Sequence, residues 1–163
     1  MLVGFPAYLM RRLQSALNAA TRLIFHLRRS DHVTDALVSL YWLRVLERIQ
    51  FKIAVLTYRV LHGDAPRCLE PFTSTADVPG RRALCAAGTN QLVVSSVRLS
   101  TVGSRAFPIA AAEIWNSLPE HIVSAPTLQS FRRYLKTLLL QQSFCLLHFS
   151  GPYSDFGYLG HSE

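Results

Sequence analysis

The chain has 163 residues, 50% of them hydrophobic, and carries a formal net charge of +7. This length and composition are enough for the core of one domain, so a wholly disordered protein is excluded. Three widely separated cysteines, Cys68, Cys85 and Cys145, exclude the disulfide framework of a small secreted protein and favour a reducing compartment.

No segment has the pattern of a signal peptide or of a membrane span. The apolar stretch after Met1 lacks a preceding basic region, and the run LLLQQSFCLLHF is interrupted by Gln141 and Gln142. Neither approaches the roughly 20 apolar residues of a membrane helix. We therefore expect a cytoplasmic or nuclear protein without a membrane partner.

The positive charge is concentrated in the first third of the chain. Residues 1–62 contain nine arginines and lysines against three acidic residues, whereas the remaining residues are close to neutral. Such a basic region favours contact with nucleic acid or another anionic surface, although a solvated basic face without a ligand has the same pattern.

The first predicted element is an amphipathic helix from Tyr8 to Arg28. At 100° per residue its apolar side chains share one arc and its arginines lie opposite. The apolar arc comprises Leu9, Leu13, Ala16, Leu17, Ala20, Leu23, Ile24 and Leu27. Burying these side chains contributes on the order of 10 kcal/mol at most, so we expect the apolar face to dock on protein and the basic face to stay free.

Two further helices complete residues 1–66, the basic helical part of the chain. Thr34 is the predicted N-cap of a short helix that runs through Leu40. A longer helix, from about Val45 to His62, has apolar residues on more than one side and is expected to be buried. Gly63 supplies a left-handed end, and a following proline prevents resumption.

Residues 67–106 lose the helical period and form a loop or hairpin segment. Two short β-branched stretches, Leu92–Val94 and Val97–Val102, predict a short β-hairpin or irregular strands near residues 90–103. The stretch Asp77–Gly88 is predicted to be a mobile loop.

Residues 107–143 form a second helical part, and residues 144–163 form a tail. A helix is predicted from about Ile109 to Leu118, where Pro119 prevents continuation. Thr127 is predicted to cap the last helix, whose apolar residues include Leu128, Phe131, Leu135, Leu138 and Leu139. The expected fold is mainly α, a small helical domain with the tail attached.

The stretch AFPIAAAEIWNSLPEHI looks at first like a reactive site. It brings together Glu113, Trp115, Asn116, Ser117 and His121. One helix cannot present both Glu113 and His121 to a single substrate, because eight residues and a proline separate them. We interpret Asn116 and Ser117 as groups that satisfy the last carbonyls of a stopped helix, and Trp115 as part of the core.

Other constellations also favour structural roles over chemistry. His26 and His32 lack further ligands, Cys145 and His148 lack a second pair, and the glycines form no phosphate-binding loop. We therefore expect no metal, no other cofactor and no small-molecule substrate.

Several motifs follow one another along the chain, namely LQSALNAATRLIF, DHVT, YWL, RIQFK and YRVLHGDAP, then WNSLP and FRRYLKT. Together they resemble the carboxy-terminal region of reverse transcriptases encoded by non-LTR (LINE-type) retrotransposons. The resemblance spans residues 13 to about 140 and implies descent from an RNA-directed DNA polymerase. Where the family has prolines after three of these motifs, this chain has Asp35, Arg44 and Arg67, which suggests a diverged copy.

The polymerase core precedes this region in the family, and its residues are not among these 163. Polymerisation needs carboxylates that hold two Mg²⁺ ions, yet the sequence has no Asp-Asp pair, and YSDF at 153–156 is the nearest string. We therefore expect a chain that is not an enzyme.

The arginines of the first helix are the most plausible functional feature. Arg11, Arg22 and Arg29 are predicted along one face, with Arg12 and Arg28 at its edges. Our hypothesis is weak, non-specific binding of RNA or DNA. One alternative is a helical protein-interaction module that pairs with a polymerase or with itself through the first helix or the Leu138–Phe149 run. Another is a product without a selected function.

Overall fold

The computed structural model describes residues 6–66, 69, 72–75, 90–96 and 106–145. Within these residues the chain forms six helices, which confirms the predicted mainly α fold. In chain order they are α1 (Ala7–Phe25), α2 (Thr34–Ser39), α3 (Val45–Leu61), α4 (Phe107–Asn116), α5 (Glu120–Val123) and α6 (Leu128–Cys145).

Helix α3 lies at the centre of the fold and packs against α4 and α6. The Tyr58 ring lies 4.6 Å from that of Phe131, which in turn lies 5.8 Å from the Trp115 ring system. The Tyr58 hydroxyl donates to the Ala125 carbonyl at 3.0 Å, so its polar end is satisfied inside the core. Aromatic residues from three helices thus anchor one apolar core.

Helix α1 ends earlier than the sequence predicts. His26 adopts a left-handed conformation, with φ 51°, and the Leu27 amide donates back to the Arg22 carbonyl at 3.0 Å. This closure stops the helix at Phe25 and turns the chain away, as left-handed residues commonly do at helix ends. The predicted extension of the helix to Arg28 is therefore wrong.

The apolar arc of α1 is largely turned away from the protein, so the prediction that it docks is also wrong. Leu23 is 76% exposed, and Leu13 and Ile24 are each 51% exposed. Thr21 is instead the fully buried residue of this helix, and Gln14 and Leu17 are half-buried beside it. At 100° per residue, the buried seam lies about 100° around the helix from the centre of the predicted arc.

Polar contacts explain this orientation of α1. Gln14 Oε1 accepts a hydrogen bond from the Val45 amide at 3.0 Å, and so satisfies a free N–H in the first turn of α3. The Thr21 hydroxyl donates to the Leu17 carbonyl at 3.0 Å, which allows that side chain to be buried. The helix thus docks on α3 through a seam that includes polar residues.

The sequence correctly predicts the end of α3 and the start of α6. Gly63 has φ 75° after α3, as predicted for a left-handed stop. Thr127 Oγ1 accepts from the Ser130 amide at 3.2 Å, which confirms the predicted cap of α6. Thr34, in contrast, is the first residue of α2, and the preceding Val33 makes no side-chain cap.

The β-structure of the described residues is a single antiparallel bridge between Ser74 and Leu92. The Val93 amide donates to the Thr73 carbonyl at 2.9 Å, and the Thr75 amide to the Gln91 carbonyl at 3.0 Å. The stretch that contains Leu92 therefore pairs with residues on its amino-terminal side. The predicted strand 97–102, the loop 77–88 and the tail from residue 146 lie outside the described residues.

Helix α4 begins at Phe107, two residues earlier than predicted, with Pro108 in its first turn. Proline fits there because the first amides of a helix have no partner within it. The helix ends at Asn116, and Pro119 then precedes the short helix α5, which the sequence reading did not predict.

Candidate nucleic-acid interface

Arg11 and Arg12 lie in the first half of α1 and are both exposed. Neither guanidinium group forms an ion pair with a described carboxylate. Arg12 follows Arg11 by 100° around the helix, so the two charges point to different sides of one solvent-facing surface. Both are free to contact an anion.

Arg22 has a different role from the one predicted. Its side chain is half-buried, and Nη2 donates to the Asp31 carbonyl at 3.4 Å, while Nε is buried without a partner in the described part of the chain. The guanidinium group therefore holds the turn that follows α1, and part of it is withdrawn from solvent. Arg22 therefore holds the backbone next to the exposed arginines, and its own guanidinium group is only partly accessible to a ligand.

Arg28 and Arg29 lie in that turn, outside the helix. The Arg28 amide donates to the Asp31 carboxylate at 2.7 Å, which fixes the backbone, and both arginine side chains are exposed. The predicted row of Arg11, Arg22 and Arg29 along one helix face is therefore wrong. The structure instead gives one pair of exposed arginines on α1 and a second pair on an ordered turn at its end.

A groove separates the first half of α1 from the start of α3. Its lining residues are Met10, Arg11, Gln14, Arg44, Val45, Leu46 and Glu47. Arg44 thus brings a second cation to the edge of the surface that carries Arg11. Glu47 lines the same groove, and one of its carboxylate oxygens is buried with no partner among the described residues.

A second basic row, which the sequence reading missed, lies on α3. Arg48, Lys52 and Arg59 are all exposed. Spacings of four and seven residues place them on one side of the helix. The same spacing could have revealed them in the sequence, but the apolar residues on several sides of this segment indicated a buried helix.

The fold does not bring the polar side chains of the stretch Ala106–Ile122 together into one site. Trp115 Nε1 donates to the Asn90 carbonyl at 2.8 Å, and the Ser117 hydroxyl donates to the Ile114 carbonyl at 2.7 Å, as expected for core and end-of-helix roles. The prediction that Asn116 satisfies helix carbonyls is wrong. Its side-chain amide instead forms hydrogen bonds with the backbone N–H and the backbone C=O of Leu92. Glu113 is half-buried and His121 is exposed.

Among the described residues, no three His, Cys, Asp or Glu side chains are placed to hold a metal ion together. Cys68, Cys85 and His148 lie outside the described ranges, as does the YSDF string. None of the described helices is long and apolar enough to cross a membrane.

The chain was also compared with known proteins. Neither family models nor curated protein sequences nor solved structures gave a match.

Proposed function

We propose that this chain is a non-catalytic nucleic-acid-binding domain related to the carboxy-terminal region of non-LTR retrotransposon reverse transcriptases. The proposed contact surface comprises Arg11 and Arg12 on α1 and Arg28 and Arg29 on the following turn. The observation that carries the proposal is that all four side chains are exposed and none is paired with a described carboxylate.

Guanidinium groups suit this role because they donate several hydrogen bonds in a planar fork and remain charged at all ordinary pH values. Contacts of this kind hold phosphates and carry no base information. The ligand is therefore RNA or DNA of any sequence, bound weakly. Arg22 acts indirectly, since its bond to the Asp31 carbonyl holds the turn that presents the second arginine pair.

The sequence supports describing the proposed domain as non-catalytic. The printed chain has no adjacent pair of aspartates, and polymerisation depends on carboxylates that hold two magnesium ions. The relationship to reverse transcriptases rests on the ordered motifs between residues 13 and about 140.

A pair of charge reversals tests the arginine surface. The double variant Arg11→Glu, Arg29→Glu should strongly weaken binding of a labelled RNA duplex at 50 mM salt, measured by filter binding. The matched control, Lys52→Glu with Arg59→Glu, changes the net charge equally but alters the exposed row on α3. It should leave most of the binding intact, and circular dichroism should report both variants as folded.

Equal losses in the two double variants would mean that only net charge matters, and the α1 surface would be rejected. A loss confined to the control would instead assign the contact to α3.

A second candidate function is self-association through α1. It is favoured by the open apolar side chains of Leu13, Leu23 and Ile24, which lie along one side of the helix. Sedimentation of the wild-type chain over a concentration series tests it, with Leu23→Glu as the disrupting variant. A chain that stays monomeric at the highest concentration would exclude this function.

A further inference from the structure

The connector between α2 and α3 places aromatic rings beside cations. Tyr41 is 64% exposed, and Lys136 Nζ of α6 lies 5.7 Å from its ring centroid. The Arg48 guanidinium carbon lies 5.9 Å from the Trp42 ring, and that of Arg44 lies 5.3 Å from the ring of Phe144. We refer to Tyr41, Trp42, Arg44, Arg48 and Lys136 as the Tyr41 platform.

The backbone at Tyr41 is in a conformation that tyrosine rarely adopts. Its φ is 53°, its amide donates to the Val38 carbonyl at 2.9 Å, and the next amide donates to the Leu37 carbonyl at 2.9 Å. This pair of bonds ends α2 in the motif whose left-handed position is usually occupied by glycine. A bulky residue at that position is an outlier, and such outliers cluster at functional sites.

Packing within the chain does not explain the ring. Most of the Tyr41 side chain is in solvent, with Lys136 near it and the rest of the surface open. A glycine or asparagine would end α2 with less backbone strain. The molecule therefore keeps a large apolar ring outside its core at a position where the backbone favours a smaller residue.

The platform contains three cations, and Glu47 lines the same groove as one of them, Arg44. Arg44, Arg48 and Lys136 form no ion pair with any carboxylate in the described ranges. Lys136 and Phe144, which contact the two ends of the connector, are eight residues apart on α6, or about 12 Å along the helix. Lys136 thus lies at the exposed ring, Arg48 lies beside the next ring along the connector, and Arg44 lies beside Phe144 further along α6.

We propose that the Tyr41 platform binds single-stranded nucleic acid. A base stacks on the open side of the Tyr41 ring, and Lys136, Arg48 and Arg44 contact the neighbouring phosphates. Stacking requires an unpaired base, because base faces inside a duplex are already covered, and it tolerates any sequence. This site does not use the arginines of α1, although its Arg44 lines a groove with Arg11, and the proposal stands even if those arginines bind nothing.

The test compares a fluorescein-labelled 12-nucleotide oligo(dT) with a 12-base-pair duplex by anisotropy at 50 mM salt, using the full chain. Tyr41→Asn removes the ring and suits the left-handed backbone. It should weaken oligo(dT) binding roughly tenfold, leave duplex binding unchanged and leave thermal stability equal or higher. Tyr41→Phe keeps the ring and should bind oligo(dT) like the wild type.

Tyr134→Asn is the matched control. Tyr134 is also exposed and lies beside a cation, with Arg133 at 5.2 Å from its ring. It is two residues from Lys136 on α6 and therefore on a nearly opposite side of that helix. This variant should bind oligo(dT) as the wild type does.

Three results would overturn the proposal: no binding of oligo(dT) by the wild type, wild-type affinity in Tyr41→Asn, or an equal loss for the duplex. Competition by oligoglutamate as effective as that by unlabelled oligo(dT) would also overturn it, in favour of an acidic peptide. If the Arg11→Glu, Arg29→Glu variant kept wild-type duplex binding, the expected effect of Tyr41→Asn on oligo(dT) binding would not change. The two proposals can therefore be rejected independently.

Discussion

Asn116 shows how one side chain fixes a segment that is distant in sequence. Its Oδ1 accepts from the Leu92 amide at 2.8 Å, and its Nδ2 donates to the Leu92 carbonyl at 2.8 Å. The side-chain amide therefore pairs with the extended segment as a neighbouring strand would. Because Leu92 is 3% exposed, water does not readily replace these bonds.

Removing this amide should destabilise the fold. Asn116→Ala deletes both bonds and leaves a buried N–H and C=O unpaired, so we expect a loss of about 2 to 3 kcal/mol in the free energy of unfolding. Urea denaturation followed by tryptophan fluorescence measures it. Gln141→Ala is the control, since Gln141 is an exposed amide on α6, and its effect should stay within about 0.5 kcal/mol. Equal effects in the two variants would contradict this role.

At this scale the sequence predicts two local interactions correctly and misses the distant ones, although the local N-cap predicted at Thr34 is also wrong. Thr127 and Gly63 were correctly assigned because an N-cap and a left-handed stop involve only residues within one turn. The role of Asn116 was missed because its partner lies 24 residues away. Arg22 was predicted as a nucleic-acid contact, and its bond to the Asp31 carbonyl was missed for a related reason, since the turn that it holds exists only once α1 has ended at Phe25.

At the scale of helices, α1 shows what periodicity leaves open. The 3.6-residue period correctly indicates a helix and groups its apolar side chains on one side. It does not state which side meets the neighbour. Here Gln14 bonds the Val45 amide of α3, and the buried side of α1 also contains Thr21, whose hydroxyl is satisfied within its own helix. The apolar side is left open as a result.

Two substitutions in α1 test this orientation. Leu23→Glu changes an exposed side chain and should alter the free energy of unfolding by no more than about 0.5 kcal/mol. Thr21→Glu places a charge at a position with 0% exposure and should cost several kcal/mol or detach the helix. Urea denaturation at low protein concentration, where self-association is absent, compares them. The opposite order of effects would mean that the predicted apolar arc faces the core.

For the whole molecule, the fold separates an aromatic core from basic surfaces. Tyr58, Trp115 and Phe131 meet inside, and the exposed cations lie on α1, the turn after it, α3 and α6. Composition and periodicity were enough to predict the mainly α fold, because the apolar residues recur with helical spacing. They could not show that Arg44 lines a groove with Arg11, since the packing of α1 against α3 creates that groove.

The proposed nucleic-acid binding should depend on salt, because it would rest on this surface distribution of charge. If the exposed arginines of α1 and its turn neutralise about three phosphates, duplex affinity should fall about 40-fold between 50 and 200 mM salt. In the Arg11→Glu, Arg29→Glu variant, the residual binding should have a less negative slope of log affinity against log salt, with a magnitude smaller by about 2, because two phosphate contacts are lost. Filter binding at five salt concentrations gives both slopes. Affinity that does not change with salt would show that the arginines do not contact phosphates, and the observed binding would then require apolar or stacking contacts.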